Sequence, residues 1–557
     1  MKIGEVQSVD TGNVVISVSD DKLLNSIQVN QIAWIRSTKM NEKIIGLVSK
    51  IMRRAVAEKS DQETEPESIV ENVVRVNLVG TWIAKEGNKH SVFKRTLNTV
   101  PSVGAEASLF TDDELTQFMG SISTSNENPL CLGQYAIAQN SAANIDGNKF
   151  FQRHAVIVGG TGSGKSWTVA SVLEKAAGLK SVDAIVFDLH GEYAPLGKLE
   201  NAKLMKIAGP AENAKDDDVI FLPYWLLCYD EMEALLLDRS DMNAPNQARA
   251  LFDSVLKFKN ETLSQSGHQN EYTSITIDSP LPYDIENVVA DLNALDKARE
   301  PGARPGQDKA GPLNGKLTRF LQRLRSKRDD KRLNFIFNSD QTLLRYEWFE
   351  ELAEKLIGFN NGRGLKIIDF SEVPSDILPL IAGLVARLIF SLQQWMEVEH
   401  RHPVALFCDE AHLYIPDAAS GAMEERGLKA FERIAKEGRK YGVALIVISQ
   451  RPADVNKTVL SQCGNFIAMR LSNPDDQSVI KHLFPDNMGD FAESLPILDI
   501  GEGLIVGDAC LLPSRVKINP PTIKPESATI DFWDEWAGDG CTPGIANAVL
   551  ALRRQQK

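Results

Sequence analysis

The sequence has no cysteine pair in CxxC spacing, no apolar run of membrane-spanning length, and no surplus of basic charge, and each absence excludes a class. Six cysteines (Cys131, Cys228, Cys408, Cys463, Cys510 and Cys541) are scattered through 557 residues. That scatter fits neither a zinc ribbon nor a disulfide framework and points to a reducing, cytoplasmic setting. The longest apolar stretch, Ile377 to Leu392, is interrupted by Arg387. It is shorter than a spanning helix requires, and the opening Met-Lys-Ile-Gly-Glu lacks the apolar centre of a signal peptide, so no membrane partner is expected. With 61 Lys plus Arg against 75 Asp plus Glu, the formal charge is −14. An acidic outer surface repels nucleic acid, so a nucleic-acid role requires a sheltered basic site. What is present is ordinary globular composition, 43% hydrophobic, over roughly three to four domain lengths, which implies more than one core.

From Lys2 to about Ile83, period-two alternation (Val14, Ile16, Val18; Ile45, Leu47; Val74, Val76, Leu78) predicts a small antiparallel β-barrel. The acidic run Ala57 to Ser68 suits an exposed loop within it. After Phe150 the pattern changes to short apolar runs followed by helical segments: Ala155 to Val158, Ala184 to Phe187, Leu365 to Ile368, Val404 to Phe407 and Ala444 to Ile448. This predicts an α/β fold with a parallel sheet buried on both faces. Residues 211–355, charged and of helical period with a Gly/Pro-rich loop at Pro301 to Pro312, read as a mostly helical insertion. Ile545 to Lys557 reads as a terminal helix whose Arg553, Arg554 and Lys557 complement its negative end.

Gly159 to Ser166 spells GGTGSGKS between a predicted strand and a predicted helix, which matches G-x-x-x-x-G-K-[ST] in pattern and in context. The glycines let backbone amides curl around a β-phosphate, Lys165 places a charge on the β/γ oxygens, and the Ser166 hydroxyl suits Mg²⁺. The expected nucleotide-binding set is Gly159, Thr161, Gly162, Ser163, Gly164, Lys165, Ser166 and Trp167.

Val404 to His412 (VALFCDEAH) is a predicted buried strand ending in two acids. Asp409 suits Mg²⁺ through water, and Glu410 suits activating a lytic water; such a pair standing alone is often only a helix N-cap. Gln450, at the end of another apolar strand, is placed to contact a γ-phosphate or to satisfy loop backbone. Asp188, His190 and Glu192 end the strand beginning at Ala184, either as site residues or as hydrogen-bonded loop residues. Arg433 and Arg439, in FERIAKEGRKYG, are candidates for acting on a neighbouring subunit's phosphates, and Arg153 for acting in cis; a surface ion pair is the competing reading for each. The Arg319 to Arg332 cluster reads as a solvated helix face. His400 and His402 lack a third ligand and are weak for metal. The tetrapeptide Asp-Glu-Ala-His raises a DEAH-box helicase, but the Gln-x-x-Gly-Arg-x-Gly-Arg motif of that family is absent.

Taken together, GGTGSGKS, FDLHGEY, LFCDEAH, EGRKYGVALIVISQRP and CGNFIAMRLSNPDDQ resemble, in order and spacing, the HerA family of the HerA/FtsK branch of P-loop ATPases. The resemblance implies a HAS-type β-barrel over 1–129, a RecA-like core of ASCE type over 130–523 containing the 211–355 insertion, and a C-terminal brace over 524–557. It further implies ATP and Mg²⁺ as ligands, with Lys165 and Ser166 on triphosphate and metal. Asp409 becomes the Walker B acid, Glu410 the catalytic glutamate, Gln450 the sensor, Arg153 the arginine before the P-loop strand, and Arg433 or Arg439 the arginine acting in trans. The implied assembly is a homo-hexamer threading DNA through a central pore beside a nuclease or sirtuin-like effector, plausible in phage defence or DNA end processing. A ring scaffold that activates an effector without translocating is the alternative. A conjugation or secretion coupling ATPase is a third reading, disfavoured by the missing membrane anchor.

Overall fold

The computed structural model describes residues 1–57, 68–83, 91–97, 99–122, 127–213, 216–268, 270, 274–301, 308–358, 363–485, 489–527, 532–538 and 544–554. Most of the acidic run at 58–67, the middle of the Gly/Pro-rich loop at 302–307, Cys541 and Lys557 lie outside the described residues. The chain forms two compact units, Met1–Lys175 with Ile446–Lys524, and Ala176–Leu445 with Pro525–Lys557.

In the first unit, six antiparallel strands close into a barrel. Asn13–Ser17 pairs with Lys2–Val9, then Glu106–Leu109, Ile32–Arg36, Glu42–Ala57 and Ser68–Ile83 follow, and the last returns to Asn13–Ser17 with Val14 opposite Val76 and Ile16 opposite Val74. Alternation puts Val14, Ile16, Ile35, Ile44, Val48, Val74, Val76 and Leu78 inside, all essentially fully buried, as closure of a small barrel demands. The two 16-residue strands bend through register shifts at Ile45/Gly46 and Val48/Lys50. Gly46 is required at the first shift, because a Cβ there would lie 2.4 Å from Val76 Cγ1. The sequence pattern ends the barrel near Ile83; the structure closes it with Glu106–Leu109, a four-residue strand too short to show alternation.

The same unit carries the P-loop sheet. Ala155–Val158 runs parallel between Ile446–Ser449 and Asn465–Met469. Beyond it, Glu502–Gly507, Ser514–Ile518, Leu130–Tyr135 and Ala138–Ile145 continue antiparallel.

The second unit contains the parallel strands Val219–Ile220, Ala202–Ile207, Gly364–Asp369, Asp183–Asp188 and Val404–Cys408, adjacent in that order. Asp183–Asp188 and Val404–Cys408 are wholly buried, as their apolar runs require, whereas Ala202–Ile207 (AKLMKI) is partly exposed. The described residues of 211–355 are mostly helical, with Tyr229–Leu236, Ala244–Ser266, Ile285–Lys297, Thr318–Asp329 and Trp348–Ile357 as the principal elements. Among the described residues, one helix, Leu378–Trp395, is long and apolar enough to cross a membrane, and most of it is buried inside this unit. It packs on Ala422–Tyr441 so closely that a Cβ on Gly383 would come within 2.4 Å of Gly427 Cα. Its Arg387 makes a bidentate pair with Glu231, both bonds 2.7 Å, and donates to Leu226 O. That pairing satisfies the one cation in the helix. Phe532–Ala537 and Ile545–Arg554 bury none of their described residues.

Candidate nucleotide-hydrolysing site

The phosphate-binding turn begins where a wholly buried strand, Ala155–Val158, runs out of apolar residues, and it ends where the helix Lys165–Ala177 starts. Gly162 and Gly164 sit at φ +72° and +99°, the left-handed region that only glycine enters cheaply. This geometry turns consecutive amides toward one concavity. Gly159 is fixed by crowding, since a Cβ would lie 2.4 Å from Ser163 Oγ. The turn is bolted down by Gly160 N donating to Arg470 O at 2.9 Å and Gly501 N donating to Ser163 O at 2.9 Å. Thr168 Oγ1 donates to Gly164 O at 3.0 Å. Lys165 is buried, Ser166 half-buried, and Thr161, Gly162 and Trp167 are exposed. Thr161 Oγ1 donates to Gln450 Oε1 at 3.0 Å, which brings the strand-end amide onto the turn.

The second unit holds the acidic strand end. All of Val404–Cys408 is buried, and Asp409 and Glu410 remain buried beyond it. Asp409 N donates to Phe187 O at 3.4 Å, and Tyr414 Oη donates to Asp409 O at 2.9 Å, so the backbone at this acid is held from two sides. Glu410 adopts φ 44° and ψ 45°. A non-glycine residue there is strained, and such strain concentrates at functional positions. Its Oε2 lies 3.4 Å from His412 Nδ1.

Asp188 ends the neighbouring strand fully buried, and its carboxylate accepts from His190 N at 3.3 Å, Glu192 N at 3.1 Å and Tyr193 N at 2.9 Å. Burial pushes its carboxyl up to about 6, against the lowering effect of those bonds, with Asp369 adding repulsion. Asp188 therefore shapes the FDLHGEY turn, and the turn delivers Tyr193. The Tyr193 phenol is fully buried and held well above its usual range, first by burial and then by Asp409, Glu192, Asp188 and Glu410. It stays neutral beside these carboxylates, with its buried Oη without a hydrogen-bond partner. Sequence reasoning missed Tyr193 and Tyr414, although both lie inside or beside the quoted motifs.

Among the described residues, no group of three or more His, Cys, Asp or Glu side chains is placed to hold a metal. The Ser166 hydroxyl in the first unit and the Asp409 carboxylate in the second are each the kind of oxygen donor that Mg²⁺ takes.

The arginines separate. Arg153 caps the helix Gly147–Gln152 and lies 3.6 Å from Asp508. Arg433 is engaged on its own unit, donating to Gln394 Oε1 at 3.0 Å with its guanidinium 4.9 Å from the Phe390 ring centroid. Arg439, six residues along the same helix, is exposed and makes no ion pair among the described residues. In the Arg319 to Arg332 cluster, Arg323 pairs with Asp238, Arg328 with Glu286 and Arg332 with Asp330, an ion-paired helix face. His402 Nε2 contacts Ser181 O at 2.7 Å, and His400 is exposed.

A phosphate-cradling turn between buried strand and helix, a strand-end amide tied to it, and a buried acidic strand end define a P-loop ATPase. Residues 130–389 match the family model for the central domain of helicase HerA, and residues 384–526 match the HerA-like C-terminal model. Between them the two matches span 130–526, and the chain belongs to the HerA family. The DNA double-strand break repair helicase HerA of Sulfolobus acidocaldarius is 25% identical over 401 residues, covering 69% of this chain and 68% of that protein. The protein of the same name from Pyrococcus furiosus is 24% identical over 488 residues, covering 82% and 80%. Among solved structures, VirB4 of Thermoanaerobacter pseudethanolicus superposes with a TM-score of 0.46 at 16% identity, over 71% of this chain and 98% of that one.

Proposed function

We propose that this chain is the ATP-driven motor of a six-membered ring that translocates DNA in the cytoplasm together with a nuclease or sirtuin-like effector, in DNA end processing or phage defence. The observation that carries the reading is the bond from Thr161 to Gln450. It ties a strand-end amide to the triphosphate turn, so loss of a γ-phosphate there would be passed to the strand, as in a switch, which favours a motor over a static scaffold. The relatives' name, a DNA double-strand break repair helicase, supports DNA as the track. In hydrolysis, Lys165 and the turn amides would hold the β/γ-phosphates; Mg²⁺, if held by Ser166 and, through water, by Asp409, would supply charge neutralisation. Glu410 accepts a proton from the attacking water, Gln450 reads the γ-phosphate, and Arg439 from an adjacent copy stabilises the transition state. The formal charge of −14 is reconciled with DNA by placing acids outside the ring and basic residues in its pore. The test is ATP hydrolysis with and without DNA: stimulation abolished by Lys165→Ala or Glu410→Ala is expected. Full effector activation by Glu410→Gln, which binds ATP without hydrolysing it, would instead favour the scaffold.

A further inference from the structure

Trp167 is the one residue of the first helical turn after the P-loop that presents a large apolar ring to solvent. It is 36% exposed, whereas Thr168, Val169, Ala170, Val172 and Leu173 behind it are buried. A segment distant in sequence covers the same side of the helix. After the strand Ser514–Ile518, Asn519 N donates to Leu132 O at 2.9 Å, and Thr522 N donates to Glu174 Oε2 at 2.7 Å. Lys524 Nζ then lies 5.9 Å from the Trp167 ring centroid. Residues seven apart share a helix face and are separated by about 10 Å along the axis. The strap therefore runs from Glu174 back toward Trp167, that is, toward the phosphate-binding turn.

We infer that Trp167 and the 519–524 strap form the nucleobase platform of the ATP site, selecting purine over pyrimidine triphosphates. The inference rests on the phosphate-binding reading of the P-loop. A triphosphate seated on the helix N-terminus sends its ribose and base past the first turn, where Trp167 is the exposed aromatic surface. Stacking on an indole grows with ring area and so favours a purine. Lys524, on a flexible stem, brings a cation to the acceptor atoms at the base edge, and the Glu174 bond to the strap holds that stem in place.

The test compares binding of Mg-ATP, Mg-GTP, Mg-CTP and Mg-tripolyphosphate to the full chain by calorimetry, with tryptophan fluorescence as a second readout. In the native protein ATP and GTP should bind about tenfold tighter than CTP or tripolyphosphate. ATP should quench a fluorescence component that Trp167→Phe lacks. Trp167→Ala should lower ATP affinity to that of tripolyphosphate while leaving tripolyphosphate binding unchanged; Trp167→Phe should keep the purine preference, and Lys524→Ala should weaken it in part. Undiminished ATP affinity in Trp167→Ala, or equal binding of ATP and tripolyphosphate by the native chain, overturns the inference. Lys165→Ala checks the phosphate site separately, because it should lose all four ligands. A native chain that binds none of them overturns the phosphate reading and this inference with it.

Discussion

Thr161 Oγ1 donates a 3.0 Å hydrogen bond to Gln450 Oε1, linking an exposed residue of the phosphate-binding turn to the end of the strand Val443–Ser449. The bond sets the amide of Gln450 beside the turn, and an amide NH₂ is a donor suited to a phosphate oxygen. Gln450→Ala should therefore slow hydrolysis about 10- to 100-fold while ATP affinity changes little. Thr161→Val should have a smaller effect that disappears in the Gln450→Ala background. Single-turnover kinetics with separately measured Kd values check both statements.

Glu410 combines the carboxylate proposed to activate water with a backbone conformation that favours glycine, φ 44°. Glu410→Ala and Glu410→Gly both remove the carboxylate and should both abolish hydrolysis. Glycine should leave the protein more stable than alanine by about 1 kcal/mol, because it relieves the left-handed strain. Denaturant midpoints of the two variants measure the difference, and equal midpoints would mean that the backbone is not strained.

Arg439 is exposed without an ion pair among the described residues, whereas Arg433 is held by Gln394 and Phe390 within its own unit. Arg439→Ala should cut turnover of the assembled protein by about 10³-fold, the scale of a trans-acting arginine, with nucleotide affinity preserved. Mixing Arg439→Ala with Glu410→Gln chains should restore part of the activity, since some interfaces then combine an intact arginine with an intact glutamate. Arg433→Ala should mainly reduce stability. Mixing that restores nothing would mean that Arg439 does not act across an interface between copies.

Lys259 is fully buried in the insertion, donating to Ile277 O and Ser279 O, both at 2.6 Å, and desolvation lowers its pKa from 10.5 to about 8. Between pH 8 and 10.5 the folded chain holds fewer protons at this site than the unfolded chain, so its contribution to stability rises with pH across that window. At neutral pH both states are protonated and the full cost of burying the charge applies. The stability difference between the native chain and Lys259→Met should shift in favour of the native chain by about 3 kcal/mol from pH 7 to pH 11. A flat difference would contradict the burial.

The parts of the candidate site legible in the sequence are those built from neighbours along the chain. The turn Gly159 to Ser166, the acids after Val404 to Cys408 and the amide of Gln450 each follow an apolar run that marks their strand. Tyr193 is not legible, because its meaning depends on Asp188 folding the intervening turn and on Asp409 and Glu410 arriving from over 200 residues away. The strain at Glu410 is a backbone property with no compositional trace. Barrel closure by Glu106–Leu109 is hidden because four residues carry too little alternation, and the strap over Trp167 because Thr522 docks through its backbone amide. Arg433 and Arg439 share one helix and one sequence neighbourhood, and only the packing of Phe390 and Gln394 distinguishes them.

The most direct measurement of the central claim is the rate of ATP hydrolysis by the full chain against duplex length, in parallel with displacement of a roadblock on the same DNA. A translocating motor predicts hydrolysis stimulated by DNA, rising with duplex length to a plateau, and roadblock displacement lost in Glu410→Gln. Hydrolysis indifferent to every form of DNA, with the roadblock left in place, would contradict it.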